Sequence, residues 1–175
     1  MRTLTTTCAI VASLAAFTAP ASTAATAKPK PVTVIGPTGQ QLTTNQATNL
    51  SADSQWITVT GRRYDETMGI IVSVCVVPEP GKIPSPCGSG VDKLGVTGTS
   101  RWISSNPPFY GKALAKGFGP GGKFQVTLKV SPHIGDVDCR KVKCAVATRG
   151  DMQNLDNRSV DVLIPVTFKA DAKKK

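Results

Sequence analysis

Residues 124–130 have the sequence FQVTLKV, and this stretch decides the fold class because apolar and polar residues alternate along it without a break. In an extended chain the four apolar residues point to one side and the three polar residues point to the other. This period of two predicts a β-strand with one buried face and one solvated face, which is typical of antiparallel sheets.

Four further strand-like runs, some alternating and one strongly β-branched, lie on either side of this stretch, and glycine- and proline-rich turns separate them. They are WITVT (56–60), IIVSVCVV (70–77), CAVAT (144–148) and VDVLIPVTF (160–168). Pro165 has no backbone N–H to donate, so the last run is expected at a sheet edge or at a bulge. With no long helical pattern beside these runs, the sequence predicts an all-β antiparallel sandwich over residues 32–168.

Residues 1–27 have the features of a secretory signal peptide. Arg2 supplies a positive start, residues 9–17 (AIVASLAAF) form a short apolar core, and Ala25-Thr26-Ala27 is a small-x-small cleavage site. Cleavage after Ala24 or Ala25 is the alternative. The apolar core is too short to span a bilayer, so we expect a secreted, extracellular protein without a transmembrane segment.

The cysteines agree with export. Cys8 leaves with the predicted leader, and the four that remain form two short local pairs, Cys75 with Cys87 and Cys139 with Cys144. Each pair borders a strand-like run and would close a loop between strands. Disulfides persist in oxidising compartments and not in the cytosol, so the sequence predicts two short-loop disulfides.

Three segments lie outside the regular strand pattern. Residues 28–31 (KPKP) form an extended lead-in, and residues 169–175 form a basic tail. Residues 88–122 form a long segment rich in Gly, Ser and Pro, and a segment of this length is typically a functional loop or a disordered one. Its aromatic residues need a surface to pack on, which argues against disorder.

The aromatic residues of this segment are the candidate ligand-binding set. An aromatic wall with a few polar anchors is typical of a pocket for a flat hydrophobic molecule. The alternative is that these residues simply cover one end of the sandwich. The set consists of Trp102, Phe109, Tyr110 and Phe118.

The chain is strongly basic, with a net charge of +10 that falls to +9 when Arg2 is removed. Such a charge favours acidic partners. Arg62-Arg63 and residues 140–143 are expected near turns at one end of the sandwich, where they would contact phosphates of a polyanion without reading its sequence. The alternative is a solvated basic rim.

No catalytic or metal-binding constellation stands out. His133 is the single histidine, and the four remaining cysteines are paired, so zinc ligation is not expected. Residues 117–123 (GFGPGGK) nearly match a phosphate-binding loop, but Phe124 stands where Ser or Thr should hold magnesium, and a strand follows where a helix is needed. We therefore predict a glycine-rich β-turn there, no catalytic residues, no metal and no cofactor apart from a non-covalently held chromophore.

Four short stretches resemble, in order, the neocarzinostatin family, the apoproteins of enediyne antibiotics from actinobacteria. They are Val59-Thr60-Gly61, Val72-Ser73-Val74-Cys75, Gly135-Asp136-Val137-Asp138-Cys139 and Cys144-Ala145-Val146. The resemblance implies an Ig-like sandwich of about seven strands with two short-loop disulfides. It also implies a hydrophobic chromophore held in a cleft, with antibacterial activity and DNA binding as family properties.

The sequence departs from the family at the chromophore cleft. Val76, Val77 and Pro78 follow Cys75, where the family has a tryptophan, and the loop at residues 131–134 lacks the family's phenylalanines. The sequence therefore matches the residues of the family's scaffold more closely than the residues with which the family binds the drug. The aromatic set of residues 88–122 is additional to the family pattern and would supply replacement rings.

Two functions follow as hypotheses for a monomeric protein that is not an enzyme. The first is a carrier that holds a small hydrophobic molecule between the first disulfide loop and the aromatic set. The second is an extracellular cell-envelope interaction module that has kept the scaffold without a chromophore and contacts a polyanion such as DNA or an envelope polymer.

Overall fold

The structure is a computed structural model that describes residues 29–88 and 96–171 of the 175-residue chain. The predicted signal peptide, the first residue of the lead-in, residues 89–95 and the last four residues of the basic tail lie outside the described residues. Within them, regular structure is almost entirely β. No helix in these two ranges is long and apolar enough to cross a membrane.

Two four-stranded antiparallel sheets form the fold. The first contains, in spatial order, β1 (Val32–Ile35), β2 (Gln41–Thr44), β3 (Gln55–Arg62) and β6 (Phe124–Val130). The second contains β10 (Val162–Val166), β9 (Cys144–Gly150), β4 (Ile70–Val76) and β5 (Ser100–Ile103). A short ribbon is formed by β7 (His133–Ile134) and β8 (Val137–Asp138), and 3-10 turns occupy Phe109–Gly111 and Arg158–Val160.

The core lies between the two sheets and uses the alternation that the sequence shows. On β3 and β6 the buried residues Ile57 and Leu128 pair directly, and the residues between the buried positions are partly or fully exposed. Tyr64, just after β3, reaches the second sheet, where its hydroxyl lies 3.3 Å from Thr148 Oγ1. Burial raises the pKa of Tyr64 well above its usual range.

Strand β4 is apolar without alternation because both of its faces are covered. Val72 and Val74 face the core, whereas Cys75 packs on the other side with Cys87 and Ala147. The loop that the first disulfide closes therefore covers part of the outer face of the second sheet, where the one polar side chain of β4, Ser73, is buried and donates to the Thr99 carbonyl at 2.9 Å.

The predicted all-β sandwich and both disulfides are confirmed. Cys75 is bonded to Cys87, and Cys139 is bonded to Cys144. Pro165 lies in β10, which is an edge strand, as expected of a residue without an N–H. The glycine-rich turn is also confirmed, since Gly119 and Lys123 exchange two backbone hydrogen bonds at the start of β6.

Residues 29–88 and 96–171 form ten strands where about seven were expected. The ribbon β7–β8 accounts for two of the additional strands. The third additional strand is β5, which lies inside the segment 88–122. It pairs with β4 from Ser73↔Ser100 to Ile70↔Ile103. Its sequence SRWI does not alternate, because its two end residues are buried and its middle residues are half-exposed.

Candidate ligand-binding cleft

A cleft of about 920 Å³ opens at one end of the sandwich, where β4 and β6 end and β3 begins. Its inner surface reaches the hydrophobic core, because three of its lining residues are core side chains: Val74, Val130 and Ile134. Val96 adds an exposed apolar group at the rim. The inner surface is thus aliphatic and contains no aromatic ring.

The remaining lining is polar and small. Hydroxyl groups come from Ser54, Thr97, Thr99 and Ser131, and charged or titratable groups come from Asp53, Lys129, His133 and Asp171. The cleft thus combines an apolar inner surface with eight polar side chains, and small-molecule sites likewise join apolar surface to polar groups that orient the ligand.

The first disulfide loop fixes one wall of this cleft. The Gly88 N–H donates to the Val74 carbonyl at 2.8 Å, and the Val76 N–H donates to the Pro86 carbonyl at 2.9 Å. Because Val74 and Gly88 both line the cleft, these bonds and the neighbouring disulfide hold its shape.

A charged cluster borders the opposite wall. Arg140 donates to both carboxylate oxygens of Asp138, from Nε at 2.8 Å and from Nη2 at 3.0 Å, and it also bonds Asp171. The Arg140 side chain and its backbone N–H lower the pKa of Asp138 to about 2. His133 Nε2 lies 3.0 Å from Arg140 Nη2, so the imidazole ring contacts a guanidinium. Within the described ranges, no group of three or more His, Cys, Asp or Glu side chains is placed to hold a metal ion.

The predicted aromatic set is divided among three places, and none of its members lines the 920 Å³ cleft. Trp102 lies on β5, where its indole N–H donates to Asp151 Oδ2 at 3.0 Å. A Cβ at Gly111 would come within 2.4 Å of its ring, so the backbone of the 3-10 turn packs directly on Trp102.

Phe109 and Tyr110 are brought together on that turn, with ring centroids 5.6 Å apart, and they are 86% and 53% exposed. Phe118 lies elsewhere, between Tyr64 and Phe124 at ring distances of 6.4 Å and 6.2 Å. Phe118 also borders a second, open cleft of about 440 Å³ with Arg62, Lys116 and Lys123.

The two basic groups do not share one end of the sandwich, which corrects the expectation from sequence. Arg62 is the last residue of β3, and the Gly61 beside it is paired with the first residue of β6. Arg140 instead borders the 920 Å³ cleft through its contacts with His133 and Asp171. The antiparallel order of β3 and β6 separates the two groups by the length of the sheet.

The sequence predicted a cleft beside the first disulfide loop but not the residues that line it, because the lining carries no motif. Small hydroxyl residues and valines come from separate segments before β3, at the ends of β4 and β6, and around the ribbon β7–β8. The available signal was the pair of disulfide loops, which frame this end of the fold.

Comparison with family models finds no match, and neither does a search of curated proteins. Among solved structures, the chain is similar to macromomycin, a neocarzinostatin-family apoprotein, with a match probability of 1.00 and 21% sequence identity. The match covers 79% of this chain and 99% of macromomycin, with a TM-score of 0.45. The similarity is one of scaffold and says nothing about a ligand.

Proposed function

We propose that this protein is a secreted, non-catalytic binding protein that carries a small hydrophobic molecule in the 920 Å³ cleft. The cleft is the single observation that carries this proposal. Its volume falls within the range of about 300–1,000 Å³ typical of ligand sites. The core side chains Val74, Val130 and Ile134 offer an apolar interior that a ligand would keep from water.

The lining defines the chemistry of the ligand. The interior favours an aliphatic or mixed hydrophobic body, and the hydroxyl groups and Lys129 at the mouth favour polar or anionic substituents. Antibacterial activity and DNA binding, which the family resemblance implies, would belong to the released ligand and not to the chain itself. The set Trp102, Phe109, Tyr110 and Phe118 remains a separate candidate surface for the same ligand.

The experiment uses the fluorescent anion 8-anilinonaphthalene-1-sulfonate as a probe. Ala52 lines the cleft and is half-exposed, so Ala52→Trp should fill the mouth without disturbing the core. We expect saturable binding to the native protein and at least a tenfold loss of affinity in Ala52→Trp, with Trp102→Ala unchanged. A loss of affinity in Trp102→Ala but not in Ala52→Trp would instead assign probe binding to the aromatic set. If the native protein shows no saturable binding of the probe, the carrier function is contradicted.

A second candidate function is favoured by the charge. The net charge of +10 and the exposed cations on the outside of the sandwich support a cell-envelope interaction module that contacts anionic polymer. Retention of the protein on isolated envelope material should then fall as salt rises from 0.05 to about 0.5 M, because exposed charges are screened. Salt-independent retention would count against this mechanism.

A further inference from the structure

The outer face of the first sheet is mainly polar, with the exposed Ile35 on β1 as an aliphatic exception, and its strands carry no carboxylate. None of the strands β1, β2, β3 and β6 contains Asp or Glu. A continuous row of side chains crosses all four strands, with Thr33 opposite Thr43, Thr43 opposite Thr60, and Thr60 opposite Gln125. A second row pairs Thr58 with Thr127. The face therefore presents hydroxyl and amide groups in register.

Trp56 stands on the same face, opposite Lys129, and is 56% exposed. Its ring is held in place, because a Cβ at Gly98 would lie only 2.4 Å from Trp56 Cη2. The Gly98 carbonyl in turn accepts the Lys129 N–H at 2.8 Å. An indole that rests on fixed backbone and is open to solvent on its other side is pre-positioned to receive a flat partner.

Cations frame this face. Lys129 and Arg62 are exposed, and the Arg101 guanidinium lies near the Gly98 backbone that supports the indole. Trp56 and Arg62 are six residues apart on β3, which corresponds to about 20 Å along an extended strand. A ligand that reaches both must be a chain, and the excess of cations makes an anionic chain complementary.

We propose that this face binds a linear polysaccharide that bears carboxylates. One sugar ring would pack its C–H face on Trp56, the threonine and glutamine rows would exchange hydrogen bonds with sugar hydroxyls, and Lys129 and Arg62 would pair with carboxylates. This site shares Lys129 with the mouth of the cleft but does not rest on the cleft ligand, and it would supply the envelope contact of the second candidate function.

The composition of the face favours a polysaccharide over a single-stranded nucleic acid. Single-stranded sites combine a continuous positive groove with several aromatic platforms for successive bases. Here, one exposed ring and two strand cations are spread over about 20 Å, and uncharged hydroxyl and amide groups fill the space between them. That balance suits a partner with many hydroxyls and sparse charge.

The test is titration calorimetry of the mature protein with polygalacturonate, with neutral dextran and oligothymidylate as comparison ligands. We expect binding of polygalacturonate alone, and about a tenfold loss of affinity in Trp56→Ala. Arg62→Gln should weaken binding and reduce its dependence on salt. Met152→Ala is the matched control, because Met152 is also 56% exposed but lies after β9, away from the face.

A second variant keeps the indole and disturbs its support. Gly98→Ala places a methyl group against the Trp56 ring and also strains the backbone that supports the ring, because Gly98 has a φ of +74°; it should also weaken binding. Equal binding of dextran, tighter binding of oligothymidylate, no binding of polygalacturonate, or full affinity in Trp56→Ala would each overturn the proposal. None of these outcomes affects the naphthalene-sulfonate assay, so failure here is distinguishable from failure of the carrier function.

Discussion

Asp138 is the residue whose ionisation should be visible in the stability of the fold. Its pKa in the folded protein is lowered from 3.8 to about 2, mainly by the hydrogen bond from the Arg140 side chain. A lowered folded pKa means that the ionised form stabilises the fold at pH values above about 4, and that this contribution is lost as the pH falls towards 2. Asp138→Asn should therefore lower the melting temperature at pH 6 and have little effect at pH 2.

Thermal unfolding of the native protein and the variant across this pH range measures the effect. Asp136→Asn provides the control, because Asp136 is an exposed acid in the same ribbon. A melting-temperature gap between the native protein and Asp138→Asn that stays constant from pH 6 to pH 2 would contradict the role of the Arg140 pair.

Gly61 is required by packing and not by backbone conformation. It lies opposite Phe124 in the pairing of β3 with β6, and a Cβ at this position would fall 2.0 Å from the Phe124 ring. The ring is buried against Tyr64 and has little room to move. Gly61→Ala should destabilise the fold by about 1–3 kcal/mol through overpacking.

Chemical denaturation of Gly61→Ala should show an earlier midpoint than that of the native protein. Gly117→Ala is the matched control, since a Cβ there would meet nothing within 4 Å. Equal midpoints for the two variants would show that the Phe124 ring can shift at no cost.

At the scale of elements, the two disulfide loops differ in size and in what they hold. The Cys75–Cys87 loop has a sequence separation of 12 and the Cys139–Cys144 loop a separation of 5. Loop-closure entropy predicts a loss of about 3 kcal/mol when the first is removed by paired Cys→Ala substitutions, and about 2 kcal/mol for the second. Both loops neighbour β4, since Cys144 pairs with Val76 and the Val77 N–H donates to the Lys143 carbonyl, but only the first loop adjoins the cleft wall at Val74 and Gly88.

Removal of the first disulfide should therefore also weaken binding of the naphthalene-sulfonate probe. Denaturation midpoints and probe titrations on the two double variants separate the effects. A loss of probe affinity in the Cys139/Cys144 variant alone would contradict the assignment of the cleft wall to the first loop.

Strands were predictable where burial imposed a pattern. Strand β6 has one face in the core and one in water, so its alternation is complete, and β4 is buried on both sides, so its run is apolar except for the buried Ser73. Strand β5 was not predicted from the sequence, because its half-exposed Arg101 and Trp102 lie between buried end residues and give no alternating pattern. The register that brings Thr33, Thr43 and Thr60 into one row depends on strand pairing, which no local pattern encodes.

At the scale of the whole molecule, the site was less predictable than the fold for a physical reason. Hydrophobic burial constrains most strand residues, whereas a cleft arises where chain ends and loops fail to fill space between the sheets. Val74, Val130 and Ile134 therefore look like ordinary core residues in the sequence, although they also line the cleft. The aromatic residues of the segment 88–122 were predicted as a ligand-binding set because they cluster in the sequence. In the structure Trp102 packs on Gly111, and Phe118 packs between Tyr64 and Phe124.

The predicted export can be tested on the processed protein that is recovered from culture medium. If residues 1–27 are a signal peptide, the chain recovered from culture medium should begin at Lys28, or two or three residues earlier if cleavage follows Ala25 or Ala24. Two disulfides make its mass four hydrogens lower than that of the reduced chain. Native mass spectrometry, followed by the same measurement after denaturation, should show this mass with an additional small molecule that is lost on unfolding. A full-length, reduced chain would contradict export, and an oxidised mature chain without an added mass would favour the envelope module over the carrier.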